Sequence, residues 1–109
     1  MTTFEALQKF YKDCLYNGMV NSSRRISANT KASIKNNIIR VQLYNTEVLG
    51  LDLSARRVCI NIGGWNTVTT RKRINEACEA FGLPYSVSTK AGVFKINGSP
   101  AQRYNEFSL

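Results

Sequence analysis

The chain has 109 residues, 43% of them hydrophobic, and fifteen Lys and Arg against seven Asp and Glu give it a formal charge of +8. That length holds one domain with a single modest core, the apolar fraction excludes a wholly disordered chain, and the charge favours anionic partners while also aiding solubility. With no histidine present, Ser/His and Cys/His nucleophile pairs and the usual zinc sets are excluded.

Thr2-Thr3-Phe4-Glu5 reads as a capping box, and Phe4, Leu7, Tyr11, Cys14 and Leu15 follow at helical spacing up to an Asn17-Gly18 stop. Residues 1–20 are therefore an N-terminal amphipathic helix. Residues 21–37 form a basic polar stretch without an acid, expected as a loop whose second half, alternating Ala28, Thr30, Ala32 and Ile34, is an edge strand. Residues 38–97 make the core. Ile39, Val41 and Leu43, then Leu49, Leu51 and Leu53, then Val58, Ile60 and Ile62 alternate with other residues across short turns, which predicts an antiparallel meander. Ile74, Ala77, Cys78 and Phe81 predict a second helix on its apolar face, closed by Gly82-Leu83-Pro84. Tyr85–Thr89 and Val93–Ile96 read as a hairpin, and residues 98–109 as a C-terminal tail. The expected fold is a small single-domain α+β protein, with an antiparallel sheet of about four to six strands packed by the second helix.

Cys14, Cys59 and Cys78 contain no CxxC pair, are odd in number and each lie in an apolar-patterned segment, so all three are expected as small buried hydrophobes. The acids form no tight motif and no metal-ligating set. No catalytic residue, metal site or cofactor is assigned, and the chain is not expected to be an enzyme. No apolar run reaches membrane-spanning length and no signal-peptide core follows Met1, which predicts a soluble intracellular protein without membrane contact.

The segment Gly63-Gly64-Trp65-Asn66-Thr67-Val68-Thr69-Thr70-Arg71-Lys72-Arg73 carries the functional expectation. With Thr69 or Thr70 as N-cap, Arg71, Lys72 and Arg73 fall in the first helical turn, where each exposed cation opposes the helix dipole by roughly 0.3–1 kcal/mol. A bound phosphate resolves that conflict, with Thr70, Arg71, Lys72 and Arg73 as its ligands and Trp65 stacked on a base. Arg24, Arg25, Lys31, Lys35 and Arg40 extend the contact as one basic stripe; Tyr44 and Tyr85 are further candidates for stacking. Structural readings stay open beside these: a Lys72–Glu76 ion pair, Trp65 closing the core edge, Gly63-Gly64 as a turn, and ordinary solvated charge.

From Ala28 to Asn97 the chain resembles a family of small bacteriophage-encoded proteins. The resemblance rests on Asn29-Thr30, the Arg40–Val48 run, Gly63-Gly64-Trp65 with Thr67-Val68-Thr69-Thr70 and Arg73-Ile74-Asn75, then Gly82-Leu83-Pro84 and Gly92-Val93-Phe94, where a Trp is expected at the Phe94 position. It implies a phage origin and a setting in the host cytoplasm, and leaves the N-terminal helix outside. The resemblance supplies no activity, and the charge and the Gly63–Arg73 segment leave two functions as expectations. One is a nucleic-acid-binding accessory protein, for DNA or RNA. The other is an inhibitor that docks on a host defence complex, for example an anti-CRISPR protein. A homo-oligomer is compatible with both.

Overall fold

The computed structural model describes all of residues 1–109. Helix α1 (Thr3–Tyr16) leads into β1 (Ser22–Ser27), β2 (Thr30–Lys35), β3 (Ile38–Leu43), β4 (Thr46–Asp52) and β5 (Arg57–Asn61). Helix α2 (Val68–Ala80) follows, then β6 (Val87–Lys90), β7 (Val93–Ile96), β8 (Ser99–Pro100) and β9 (Tyr104–Ser108). The main sheet is six-stranded in the order β1-β2-β3-β4-β5-β9, and β6-β7-β8 form a second, three-stranded sheet. Every pairing is antiparallel. This is the α+β domain the sequence predicts.

Helix α1 starts as its capping box dictates. Thr2 Oγ1 accepts from the Glu5 N–H at 3.1 Å, and Glu5 Oε1 accepts from the Thr2 N–H at 2.9 Å. Leu7 and Phe10 point inward and are fully buried. Both helices cover one face of the main sheet: α1 lies over β1 and β2, and α2 over β3 and β4 and against β6. The alternation of β2 through β5 puts Ala32, Ile34, Ile39, Val41, Leu49, Leu51, Val58 and Ile60 on that face. They meet Leu7, Phe10, Ile74, Ala77, Cys78 and Phe81 in one core. The opposite face of the sheet carries no layer and presents Lys31, Arg40, Arg57, Cys59 and Glu106.

Helix α2 ends in a Schellman closure, with Leu83 N–H donating to Cys78 C=O at 2.8 Å and Gly82 N–H to Glu79 C=O at 3.2 Å. Gly82 takes φ 66°, as the sequence stop predicts. Asn75 holds the second sheet to this helix: its Oδ1 accepts from Val87 N–H at 2.7 Å and its Nδ2 donates to Val87 C=O at 2.9 Å.

Three sequence expectations are corrected by the strand pairing. The front of residues 21–37 is a strand, and it is β1 rather than β2 that forms the edge, because Ser22–Ser27 pairs along β2. The last residues are not a tail: β9 pairs with β5, bringing Phe107 opposite Val58 and under Tyr85, whose ring stacks on it at 4.6 Å. Tyr85 is thus a packing residue, unavailable for ligand stacking. Of the cysteines only Cys78 is fully buried; Cys59 lies on the open face and accepts from the Tyr104 hydroxyl at 3.1 Å. All three are free thiols.

Burial pushes the Cys78 thiol up to about 12, so the reactive thiolate is scarce at neutral pH. Alkylating reagents are expected to leave Cys78 unmodified until the chain unfolds. Rapid labelling of Cys78 in the folded protein, read by mass spectrometry, would contradict this packing.

Candidate functional site

The start of α2 differs from the sequence expectation by a few residues, with large consequences. The N-cap is Thr67, whose Oγ1 accepts from the Thr70 N–H at 3.2 Å. Thr70 is buried, 4% exposed, with its hydroxyl 3.0 Å from that of Thr67. Val68, Thr69 and Thr70 fill the first turn, so Arg71, Lys72 and Arg73 sit one turn further along. The dipole effect falls off within that first turn. The electrostatic conflict inferred from the sequence therefore does not arise.

The three cations also go to different partners. Arg71 Nη1 donates to the Asn66 carbonyl at 3.0 Å and also to Asn66 Oδ1. Arg73 is 14% exposed and pairs with Glu76, 20% exposed, at 2.7 Å. Its Nε also donates to Thr30 Oγ1 at 3.1 Å, tying α2 to β2. The ion pair expected between Lys72 and Glu76 is thus formed by Arg73 instead. Lys72 is exposed and has no ion-pair partner, but with Arg71 it borders a groove that also holds Glu76 and Glu79. A phosphate there meets carboxylates as well as cations.

The expected basic stripe divides by strand face. Arg24 lies opposite Ala32 on the helix-covered side, bonded to Asp13 at 3.0 Å and stacked over the Phe10 ring at 5.4 Å. Hydrogen bonds from Asn17 and then Arg24 hold the Asp13 carboxyl below the usual carboxylate range. Its contribution to stability is therefore present above the unfolded-state carboxyl pKa and fades as pH falls through the lowered value. Arg25, Lys31, Lys35 and Arg40 share the open side. Arg40 pairs with Glu47 at 3.3 Å, and Lys35 stands at the far end of β2. Arg25 and Lys31 lie directly opposite each other in register and are both exposed.

What the structure does assemble is a cleft between the β3–β4 turn and the loop entering α2. Its volume is about 580 Å³, and its lining includes buried Leu43, Val48 and Ile62 together with Tyr44, Thr46, Trp65, Thr67 and Thr69. Trp65 and Tyr44 are 64% and 71% exposed, a large apolar area left open to solvent. Two backbone features bring them together. Gly63 and Gly64 take φ 59° and 85°, and a Cβ on Gly63 would stand 2.6 Å from Thr46 Cγ2, so the loop lies pressed on the first residue of β4. Tyr44 itself has φ 52°, unusual for a bulky side chain. It is held by its N–H to the Asn29 carbonyl at 2.8 Å and by Gln42 Nε2 to its own carbonyl at 2.8 Å.

Tyr44 also lines a second, smaller groove of about 280 Å³, bordered by Arg25, Asn29, Lys31 and Gln42. The Arg103 guanidinium lies over Gly64, the residue before Trp65, its Cζ 3.5 Å from where a Cβ would stand. Of the residues assigned from sequence, the structure thus gathers Trp65, Arg25 and Lys31 about Tyr44. It sets Thr70, Arg73 and Arg24 into the packing, and Lys35, Arg40, Arg71 and Lys72 elsewhere on the surface. Thr46, Thr69 and Arg103 are additions. Arg103 escaped notice because it precedes a strand that looks like a tail.

The fold and site define a small single-domain α+β protein with an uncovered aromatic cleft. The chain belongs to the Kyanoviridae Gp96 protein family, a bacteriophage protein family whose model matches residues 8–108. The match begins inside α1 and ends in β9, so most of the N-terminal helix and the final strand are part of the family unit, beyond the stretch expected from the resemblance. No curated protein and no solved structure matches the chain significantly.

Proposed function

We propose that this protein is a nucleic-acid-binding accessory protein of the phage, acting in the host cytoplasm through the Tyr44–Trp65 cleft and its cationic flanks. The observation that carries the reading is the position of Tyr44, which borders both the apolar cleft and the groove of Arg25 and Lys31. Aromatic faces beside unpaired cations suit a ligand that alternates bases with phosphates. Arg25, Lys31 and Arg103 supply the phosphate contacts; none of them has an ion-pair partner, and Arg25 is oriented by donating to the Ser27 and Ala28 carbonyls at 3.3 and 3.4 Å. The phosphate site first expected at the α2 start has no part in this reading.

The second reading, docking on a host defence complex, draws support from the same exposed aromatics, since Trp and Tyr dominate protein–protein hot spots. The flanking cations favour the first.

A mobility shift against DNA and RNA over a salt series separates the two. Affinity is expected to fall steeply with salt, and the Arg25→Gln/Lys31→Gln double variant to flatten the log–log slope by about 1–2. Absence of binding to any nucleic acid at about 50 mM salt, where electrostatic contacts are strong, discards the first reading in favour of the second.

A further inference from the structure

Resting on the reading of this surface as a nucleic-acid site, we infer that the ligand is single-stranded and that one unpaired base enters the cleft between Tyr44 and Trp65. Both rings stand open to solvent, and a base offers its π-face to a protein ring only when its neighbours have been unstacked. A duplex could meet Arg25, Lys31 and Arg103 with its phosphates but would leave the aromatic pair unused. The cleft volume, about 580 Å³, falls within the range typical of small-ligand sites.

The lining supplies polar groups for a base edge. Thr67 Oγ1 is already engaged with Thr70. The side chains of Asn45, Thr46 and Thr69 also line the cleft and make no hydrogen bond within the protein. They offer both donors and acceptors to the edge of an unpaired base. Arg25 and Lys31 border the groove that shares Tyr44, and Arg103 lies beside Gly64, the residue before Trp65, so cations for the backbone stand near both rings.

Tyr44 adds a further indication. A backbone conformation that a bulky side chain rarely adopts is held here by two hydrogen bonds, and the ring it carries packs against little of the protein. Arg56 and Ala91 take the same conformation at other turns; at Tyr44 it serves to hold an aromatic ring out into the cleft.

Trp65 is the single tryptophan of the chain, so its fluorescence reports the cleft directly. The intact protein is titrated with a single-stranded oligonucleotide and with the duplex of the same sequence, at equal salt. Saturable quenching is expected with the single strand and not with the duplex. By anisotropy of a labelled oligonucleotide, Tyr44→Ala and Trp65→Ala should each weaken single-strand binding by about 5- to 150-fold, the range for loss of one base stack. Duplex binding and the salt slope should be unchanged in both variants. Equal binding of the two forms with no quenching overturns the seated base and leaves the nucleic-acid reading standing. No binding of either form overturns both. Circular dichroism of the two variants checks that they fold, as expected for side chains this exposed.

Discussion

Replacing Arg73 by glutamine is expected to lower the stability of the fold by about 2–3 kcal/mol, less than the 3–5 of a fully buried pair because both partners keep some solvent contact. The change leaves the Glu76 carboxylate, 20% exposed, without its partner at 2.7 Å. It also removes the donor to Thr30 Oγ1 that ties α2 to β2. Lys72→Gln, by contrast, alters an exposed side chain without an ion-pair partner and should stay within about 0.5 kcal/mol of the parent. Urea unfolding of the two variants makes the comparison, and a double Arg73→Gln/Glu76→Gln variant should recover part of the loss by removing the unpaired charge. If Arg73→Gln left stability untouched and instead abolished nucleic-acid binding, Arg73 would be a ligand-binding residue after all.

The second large effect is expected at Gly63. An alanine there must hold φ 59° and place its Cβ 2.6 Å from Thr46 Cγ2. The left-handed conformation and the overpacking together should cost about 2–4 kcal/mol. The contact can be separated from the conformational part. Thr46→Ser removes Cγ2, so the double variant Gly63→Ala/Thr46→Ser should regain the contact share and keep a deficit of about 1–2 kcal/mol from the backbone. A double variant no more stable than the single one would show that Thr46 is not what the loop rests on. Because Gly63 sets how Trp65 approaches Tyr44, the alanine variant should also disturb the Trp65 emission spectrum.

Both expectations concern the segment whose chemistry was hardest to read. Three cations in succession look like one cluster, but on a helix successive residues point in different directions. Arg71 turns back to Asn66, Lys72 faces solvent and Arg73 reaches across to Thr30 and Glu76. A shift of the N-cap from Thr69 or Thr70 to Thr67 leaves all three beyond the first turn. Several threonines stood in reach of that role. The one that caps is Thr67, which accepts from the Thr70 N–H, while Thr70 itself is buried. In the same way Arg24 and Arg25 are neighbours in sequence and lie on opposite faces of a strand, one over Phe10 and the other in solvent.

The site shows the same division. Trp65 and Tyr44 were each legible as possible stacking residues. That they border one cleft was not, because it depends on the β3–β4 turn meeting the loop before α2. Arg103 joined them only through the pairing of β9 with β5, signalled in the sequence by little more than Phe107 in a polar segment.

Local patterns by themselves determined much of this protein: the capping box of α1, the period-two alternation of β3 to β5, and the glycine closure of α2. Each rests on interactions between residues a few positions apart, or on a repeat that one buried face imposes. Tertiary structure decided which strand lies at the edge, that the last residues complete the sheet, and which of fifteen cations remain free to meet a partner. Those outcomes depend on long-range pairing, and a charged side chain is freest to meet a ligand where no acid of its own fold has claimed it.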